Sequence, residues 1–414
     1  MHFLYTLGLI LFRFILIIIS PFNTKAKLWI KGRQNILNRI SDSLADDEKR
    51  IWIHAASLGE FEQGRPIIEK LKQDYPGYKL FLTFFSPSGY EIRKNYEFAD
   101  YIFYLPNDTS TKAKKFIELV KPQFVLFIKY EYWYNYLMTL KKKNIPTYMV
   151  SSIFRKNQIF FKWYGKWYKQ MLMSVTHFFV QNQESKELLQ KLKYNNVSVT
   201  GDTRFDRVFE VYKQATPFPV IEKFKNKRNI IIAGSTWKPD EEILTNYINT
   251  KDNSWKYIIA PHEIHERNIK RIEYSLHKKT IRYSQADEKT ITEYDVLIID
   301  NVGMLSSLYR YGNIAYIGGG FSTGIHNILE AATFGIPVIF GPDYKNFQEA
   351  QSLLKLGGAF SINNQKDFND ITNSLITNKL IKEKGGICKT YINKNKGATF
   401  KIIDHIFKQS GLQT

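Results

Sequence analysis

Strand-like and helix-like patterns alternate along most of this 414-residue chain, in two successive blocks. Short apolar runs are typical of buried strands, and the segments between them repeat their apolar residues at helical spacing. This alternation favours parallel sheets covered by helices on both faces. In the first block it predicts strands at 51–54, 79–83, 101–105, 124–128, 147–151 and 177–180, with helices such as 111–120 and 184–192.

The alternation restarts after a proline-containing stretch, QATPFP, with predicted strands at 229–233, 256–260, 296–300, 313–317 and 337–340. We therefore expect an α/β protein with two doubly wound, Rossmann-like domains. Ligands of such sheets bind beyond the carboxyl ends of the strands, so we expect a cleft between the domains. The expected boundaries are an anchor at 1–24, an acceptor-binding N-terminal domain at 25–213, a linker at 214–220, a donor-binding C-terminal domain at 221–397, and a C-terminal helix at 398–414 that packs back on the N-terminal domain.

The charge of the chain points to an anionic partner. Lys and Arg number 59 against 39 Asp and Glu, a formal net charge of +20. A membrane surface, a nucleic acid or a phosphorylated substrate would each suit this excess. The single cysteine, Cys388, excludes an internal disulfide framework and a thiolate zinc cluster, and it fits a reducing compartment.

The N-terminus narrows that choice. Residues 3–22 read FLYTLGLILFRFILIIISPF, close to the roughly 20 apolar residues of a spanning helix. Arg13 is costly at the bilayer centre, so the segment either spans with this arginine snorkelling or lies partly in the interface. No basic region precedes the apolar run, which disfavours a cleaved signal peptide. The cations that follow indicate an anchor with a cytoplasmic body: Lys25, Lys27, Lys31 and Arg33.

A second segment, 154–173, interleaves basic and aromatic residues and has no acidic one: FRKNQIFFKWYGKWYKQMLM. This mixture suits a phospholipid headgroup layer. A half-buried helix with a solvated basic face would give the same pattern, and so would a single-stranded nucleic-acid site. The apolar N-terminus favours the membrane.

The stretch HAASLGEFEQGRP, residues 54–66, links a predicted strand to a predicted helix and places Glu60 in the first helical turn. Ser57 and Glu60 fit a capping box, so both residues could be structural. The alternative is that Glu60 is a carboxylate presented at the carboxyl edge of the sheet for acid–base chemistry.

The second block contains two turns suited to phosphate. Gly234, Ser235 and Thr236 end a predicted strand just before a helix start, which makes either a phosphate cradle or an ordinary cap. The stretch GGGFSTGIHNILE, 318–330, resembles a dinucleotide fingerprint, but Thr323 occupies the place of the third glycine, which disfavours an oxidoreductase. Glu330 lies one helical turn past His326, so we expect both on one helix face, with Glu330 accepting ribose hydroxyls or merely solvated.

Seven motifs occur in an order that resembles one known family, the 3-deoxy-D-manno-octulosonic acid (Kdo) transferases of lipopolysaccharide synthesis. They are HAASLGE, YLPND at 104–108, EYWYN at 131–135, GDTRFD at 201–206, GSTW, GGGFSTGIHNILEAATFGIPVIFGP and Asn346-Phe347. The resemblance implies a GT-B glycosyltransferase. It also implies inverting, metal-independent transfer of Kdo from CMP-Kdo to a lipid A precursor (lipid IVA), with no cofactor, at the cytoplasmic face of the inner membrane and in contact with its phospholipids.

The resemblance also implies residue roles. Glu60 would be the general base, shaped by Ser57 and Gly59, while Glu131 would orient the acceptor or the base and Arg204 would pair with an anionic group on the acceptor side. The donor-binding residues would be Gly234, Ser235, Thr236, His262, Arg267, Gly319, Gly320, Gly324, His326, Asn327 and Glu330.

Two departures concern substrate contacts. Lys129 stands where the family commonly has an acidic residue, and PHEIHER at 261–267 replaces PRHPER, so the motif does not place the donor-phosphate arginine. Two alternatives remain open: another GT-B transferase with a different nucleotide sugar and lipid acceptor, and a non-catalytic membrane-bound scaffold. Nothing in the chain resembles a known nucleic-acid module.

Overall fold

The computed structural model describes residues 1–322, 324–377 and 379–410, and the chain divides into two compact α/β units. The first comprises Met1–Arg207 together with the chain from Lys396 onward, and the second comprises Val208–Asn395. The expected linker overlaps two helices, because one helix ends at Gln214 and the next begins at Pro219.

A seven-stranded sheet forms the centre of the first unit, in the order β3-β2-β1-β4-β5-β6-β7. Every neighbouring pair in it is parallel. Its strands are β1 (Arg50–Ala55), β2 (Lys79–Phe84), β3 (Tyr101–Tyr104), β4 (Pro122–Ile128), β5 (Thr147–Ser152), β6 (His177–Val180) and β7 (Val197–Val199). The chain winds outward from β1 in one direction and from β4 in the other, so the strand order reverses between them.

Helices cover this sheet and precede it. They are α1 (His2–Ile19), α2 (Thr24–Gly32), α3 (Ile36–Ser43), α4 (Leu58–Asp74), α5 (Pro87–Arg93), α6 (Ser110–Val120), α7 (Tyr134–Lys142), α8 (Lys166–Leu172) and α9 (Gln183–Lys191). The next helix, α10 (Arg204–Gln214), begins in the first unit and continues into the second. Both faces of the sheet are apolar and buried, with separate hydrophobic clusters on the two sides.

The second unit repeats the design with a parallel sheet in the order β10-β11-β9-β8-β12-β13-β14. Here the strand order reverses between β8 and β12. The strands are β8 (Asn229–Thr236), β9 (Trp255–Pro261), β10 (Thr280–Arg282), β11 (Val296–Ile298), β12 (Ile314–Ile317), β13 (Val338–Phe340) and β14 (Ala359–Ser361).

The helices of the second unit are α11 (Pro219–Lys225), α12 (Lys238–Thr250), α13 (Glu266–Ser275), α14 (Leu305–Leu308), α15 (Leu329–Thr333), α16 (Gln348–Leu356), α17 (Gln365–Thr377) and α18 (Ile381–Asn395). The last helix, α19 (Ala398–Ser410), belongs to the first unit, where Phe407 stacks on Tyr75 with ring centroids 3.6 Å apart. Residues 411–414 of the expected C-terminal helix lie outside the described residues.

The doubly wound α/β architecture predicted from the sequence is confirmed. Three strands were missed: β7, β10 and β14, each of three residues and each at the edge of its sheet. An edge strand is covered less completely than a central one, so it needs no long apolar run and leaves a weak pattern.

Among the described residues, α1 is the one helix long and apolar enough to cross a membrane. Most of its large apolar side chains are exposed, but one side of the helix contacts the first unit. The Tyr5 hydroxyl donates to Asp108 Oδ2 at 2.5 Å, His2 Nε2 lies 3.1 Å from Asn135 Oδ1, and Phe12 packs against Trp29. The helix therefore lies along the body over at least its first eleven residues.

The basic aromatic segment 154–173 is partly core and partly surface. Phe154 and Phe160 are buried in the core of the first unit, whereas Trp163 is 92% exposed. Trp167 stacks on Tyr134 and contacts the ring of Tyr5 in α1. The two segments predicted to contact a membrane are thus neighbours in the structure.

Candidate functional site

The two predicted carboxylates lie at the strand-order reversal of the first sheet. Glu60 belongs to the first turn of α4, directly after β1, and Glu131 follows β4, the neighbour of β1. In open α/β sheets the crevice at such a reversal is the usual ligand site, because the loops leaving the two strands diverge there. Topology therefore places both residues where a substrate would bind.

Glu60 is held by a hydrogen bond from Ser57. Ser57 has an extended backbone and precedes α4, but its side chain does not cap the helix. Its hydroxyl donates instead to Oε2 of Glu60. A Cβ built on Gly59 would meet only the Ser57 Oγ, at 3.9 Å, so Gly59 leaves open space beside the carboxylate. The geometry favours an oriented, accessible carboxylate over a capping box.

Glu131 is buried, and the same oxygen atom serves two neighbours. Trp133 Nε1 donates to its Oε2 at 2.7 Å, and His54 Nε2 lies 3.2 Å from that oxygen. His54 is fully buried, and its Nδ1 lies 2.9 Å from Thr83 Oγ1. Sequence reasoning did not assign His54 a role, although its motif begins with that residue. Its position as the fifth residue of β1, one strand from Glu131, was the available signal.

Arg204 already has an anionic partner within its own motif. Its Nε and Nη2 both contact Asp202 Oδ2, at 2.8 and 2.7 Å, so a single carboxylate oxygen takes both guanidinium nitrogens. Tyr130 lies in the same neighbourhood, where burial raises the pKa of its hydroxyl and the charge of Arg155 opposes that shift. Lys129 has a left-handed backbone (φ +68°) directly after β4.

The reversal point of the second sheet is built from closely packed glycines. Gly318 follows β12, and a Cβ there would lie 2.3 Å from the carbonyl oxygen of Ser235, at the end of β8. A Cβ on Gly320 would lie 2.6 Å from Gly341 Cα. Gly319 and Gly324 have positive φ, +92° and +95°. The glycines are therefore required for two loops to touch through their backbones.

A buried carboxylate, Asp240, ties these loops together, and sequence reasoning missed it. Asp240 is fully buried in the first turn of α12 and accepts the backbone N–H groups of Gly319 and Trp237, both at 2.9 Å. The Tyr316 hydroxyl donates to its other oxygen at 2.7 Å. Burial raises the pKa of Asp240 and these hydrogen bonds oppose the shift. The sequence showed an aspartate at a helix start, which looks the same as a cap.

Thr236 uses its hydroxyl within the protein. The side chain is buried and donates to Glu241 Oε1 at 3.1 Å, while Arg271 bonds the other oxygen of Glu241. Ser235 is partly exposed and has a left-handed backbone (φ +54°). Of the two hydroxyls predicted to hold phosphate, that of Ser235 is the one placed to reach a ligand.

Three aromatic rings meet beside the glycine loop. The imidazole of His262 stacks on Trp237 and on His326, with centroids 4.5 and 4.6 Å away. Trp237 Nε1 is 3.0 Å from His326 Nε2. Burial lowers the pKa of His326, and the charge of His262 adds to the effect. Arg267 is exposed in the first turn of α13.

One expectation was wrong: His326 and Glu330 do not share a helix face. The helix α15 begins at Leu329, so His326 precedes it. The cause is backbone pairing, since the N–H of His326 donates to the carbonyl of Gly318 and that of Gly324 to Gly319. The Asn327 amide donates to Glu330 Oε1 at 3.0 Å. Thr323 lies outside the described residues.

Within the described part of the chain, no three or more His, Cys, Asp and Glu side chains cluster as metal ligands would.

Comparison with known proteins adds sequence and fold relationships. A sequence model described as 3-deoxy-D-manno-octulosonic-acid transferase (kdotransferase) matches residues 31–207. The chain is 28% identical over 351 residues to a 3-deoxy-D-manno-octulosonic acid transferase of Aquifex aeolicus, covering 82% of this chain and 90% of that protein. To the Haemophilus influenzae protein of the same name it is 27% identical over 372 residues, 86% of each chain.

Solved structures resemble the chain in fold. The UDP-GlcNAc 2-epimerase from Neisseria meningitidis matches with a TM-score of 0.61 and 16% identity, over 87% of this chain and 100% of that one. MurG of Acinetobacter baumannii matches with a TM-score of 0.53 and 14% identity, over 87% and 99%. At this identity the likeness concerns the fold alone, which is GT-B.

Proposed function

Because this chain belongs to the Kdo transferase family, we propose that it transfers Kdo from CMP-Kdo to a lipid A precursor, lipid IVA. It is a glycosyltransferase of lipopolysaccharide biosynthesis. The proposed reaction inverts the anomeric centre and needs no metal: an acceptor hydroxyl attacks the anomeric carbon of Kdo, loses its proton to the enzyme, and displaces CMP. The observation that carries the proposal is the Ser57–Glu60 pair at the reversal point of the first sheet.

Glu60 is the proposed general base. An attacking hydroxyl must lose its proton as the new bond forms, and a carboxylate within hydrogen-bond reach can take it. Because the Ser57 hydroxyl already donates to Oε2 of Glu60, the proton of the attacking hydroxyl would be taken by Oε1. The open space beside Gly59 gives the acceptor room to approach.

Glu131 is proposed to position the acceptor. His54 and Trp133 both hold its Oε2 in place. A carboxylate fixed in this way can accept a hydrogen bond from a second hydroxyl of the acceptor substrate in a defined geometry. Arg204 would contribute to the same edge through its pair with Asp202, which fixes the start of α10.

The loops at the reversal point of the second sheet are the proposed donor site. The backbone around Gly234, Gly319 and Gly320 and the hydroxyl of Ser235 would hold the single phosphate of CMP, and Thr236 would support that loop from inside. Glu330, which accepts a hydrogen bond from the Asn327 amide, would also accept hydrogen bonds from the ribose hydroxyls. The remaining donor residues are assigned to the phosphate or to the Kdo carboxylate: His262, His326 and Arg267.

We propose that the protein works on the cytoplasmic face of the inner membrane. The support is the exposed apolar surface of α1, the neighbouring exposed Trp163, and the cluster of cations that follows α1 in the sequence. Apolar and aromatic side chains would enter the lipid while the cations meet the headgroups.

The test is mass spectrometry of lipid IVA incubated with CMP-Kdo and the purified chain, with a chelator present in parallel. Glu60→Gln should still bind CMP but lose most turnover, because an amide cannot take the proton; loss of about 10² to 10⁴-fold is the usual scale. Glu184→Gln is the matched control, since Glu184 lies exposed in the first turn of α9 after β6 of the same sheet. Near-normal turnover of the Glu60 variant would refute the base assignment, and no mass gain with any variant would refute the donor or the acceptor.

A further inference from the structure

A cationic cavity lies where α1 meets α2 and the start of α6. Its volume is about 510 Å³, and the lining includes Arg13 from the apolar helix, Arg33 from the end of α2, and Lys112. Placing a charge within an apolar membrane helix is energetically costly, so a residue of this kind is a candidate for a functional role. Here Arg13 is brought beside two further cations.

No ion pair neutralises these three cations among the described residues. The side-chain hydrogen bonds of Arg33 go to the backbone carbonyls of Leu105, Phe85 and Trp29, at 2.9, 2.7 and 3.3 Å. Its guanidinium also lies 4.0 Å from the ring centroid of Trp29. Carbonyl and ring contacts orient the charge of Arg33 but do not cancel it.

The electrostatics of the cavity favour an anion. Burial lowers the pKa of Arg33 to about 9. Burial also lowers the pKa of Lys112, and repulsion from Arg13 and Arg33 adds to that effect. An anion placed between these cations would offset the repulsion of Lys112 from Arg13 and Arg33, and it would stabilise the charged forms of the three side chains.

We propose that this cavity binds a phosphate group carried by a membrane lipid. Phosphate offers several acceptor oxygens and a negative charge, and guanidinium groups bind it through paired hydrogen bonds. The position of Arg13 in the apolar helix places the site at the membrane surface, which favours a lipid-borne phosphate over a soluble one. The lipid is either a bulk anionic phospholipid or the acceptor itself.

The first experiment measures binding of the full-length chain to vesicles by flotation. It compares vesicles of phosphatidylcholine with vesicles that also contain phosphatidylglycerol. Arg13→Gln/Lys112→Gln is tested against Lys114→Gln/Lys115→Gln, which removes the same charge from exposed positions of α6. If the occupant is a bulk phospholipid, the cavity variant should lose about tenfold or more of its preference for phosphatidylglycerol and the control about threefold or less.

The second experiment measures KM for the acceptor in neutral detergent, with and without its phosphate groups. This arm rests on the proposed function, whereas flotation needs no catalysis, so failure of one is distinguishable from failure of the other. If the occupant is the acceptor, the cavity variant should raise KM about tenfold for the phosphorylated acceptor only. An effect in either arm supports a lipid-phosphate site and identifies its source.

The proposal is overturned if the cavity variant matches the control in both arms. Thermal denaturation of both variants establishes that they fold. Should the double variant not fold, the single variant Arg13→Gln takes its place, because Arg13 is an exposed residue of the cavity lining. That substitution should weaken the same interaction in the same direction, and wild-type behaviour in both arms would equally refute the site.

Discussion

Replacing Asp240 tests whether the donor loops depend on one buried carboxylate. In Asp240→Ala, three groups lose their acceptor: the N–H of Gly319, the N–H of Trp237 and the hydroxyl of Tyr316. Each buried donor left unpaired costs about 1–3 kcal/mol, and relief of the buried charge offsets part of the total. We expect a net loss of about 3 kcal/mol. Asp240→Asn keeps an oxygen for the two N–H groups and should cost about 1 kcal/mol.

The assay pairs thermal denaturation with CMP binding by calorimetry. If the lost energy is that of fixing the loop, CMP must restore it on binding, so affinity should fall about fivefold in Asp240→Asn and about a hundredfold in Asp240→Ala. Glu242→Gln, an exposed neighbour on α12, should leave both quantities unchanged. A destabilised Asp240→Ala protein that binds CMP as well as the wild type would show that Asp240 supports the fold and not the donor loop.

Three further outcomes follow from burial and packing. Gly318→Ala should destabilise the protein by about 3 kcal/mol or more, because its Cβ would lie 2.3 Å from a backbone atom. Gly386→Ala in α18 should stabilise the protein by about 0.5–1 kcal/mol, because its Cβ would meet no atom within 4 Å. The two free energies of unfolding are measured by urea denaturation, and the reverse order would refute the packing argument. Burial, with His405 adding to it, lowers the pKa of His177 to about 4, so the unfolded chain binds the proton first and stability should fall as pH drops from about 6.5 to 4. Urea midpoints across that range should fall less in His177→Gln, and parallel losses would contradict this account. Burial raises the pKa of Cys388 to about 12, so the thiol should resist a disulfide reagent at neutral pH until the protein is denatured, and rapid labelling of the native protein would disprove it.

The fold could be predicted to the extent that the apolar pattern was continuous. Central strands such as β1 and β8 are buried on both faces, so each leaves an unbroken apolar run. The edge strand β7 is only partly buried and left no such run. The order of the strands within a sheet could not be predicted from these local patterns, because the pairing of β1 with β4 joins segments more than sixty residues apart.

The candidate site divides in the same way. Residues that directly follow a strand, such as Glu60 and the glycines after β12, were found because strand ends are visible in the sequence. His54 and Asp240 were missed because their roles depend on partners elsewhere in the chain, Glu131 and Gly319. Pairing of that kind has no local signature.

Arg13 shows why such pairings matter for function. In the sequence it was only an imperfection in an apolar helix, compatible with snorkelling or with an interfacial position. In the structure that helix lies along the first unit, with Tyr5 bonded to Asp108 and Phe12 against Trp29. Such contacts fix the rotation of the helix, and that rotation sets Arg13 beside Lys112. A helix used only as a tether would need neither the polar contact nor the charge, so α1 is better explained as part of the binding surface than as a simple anchor.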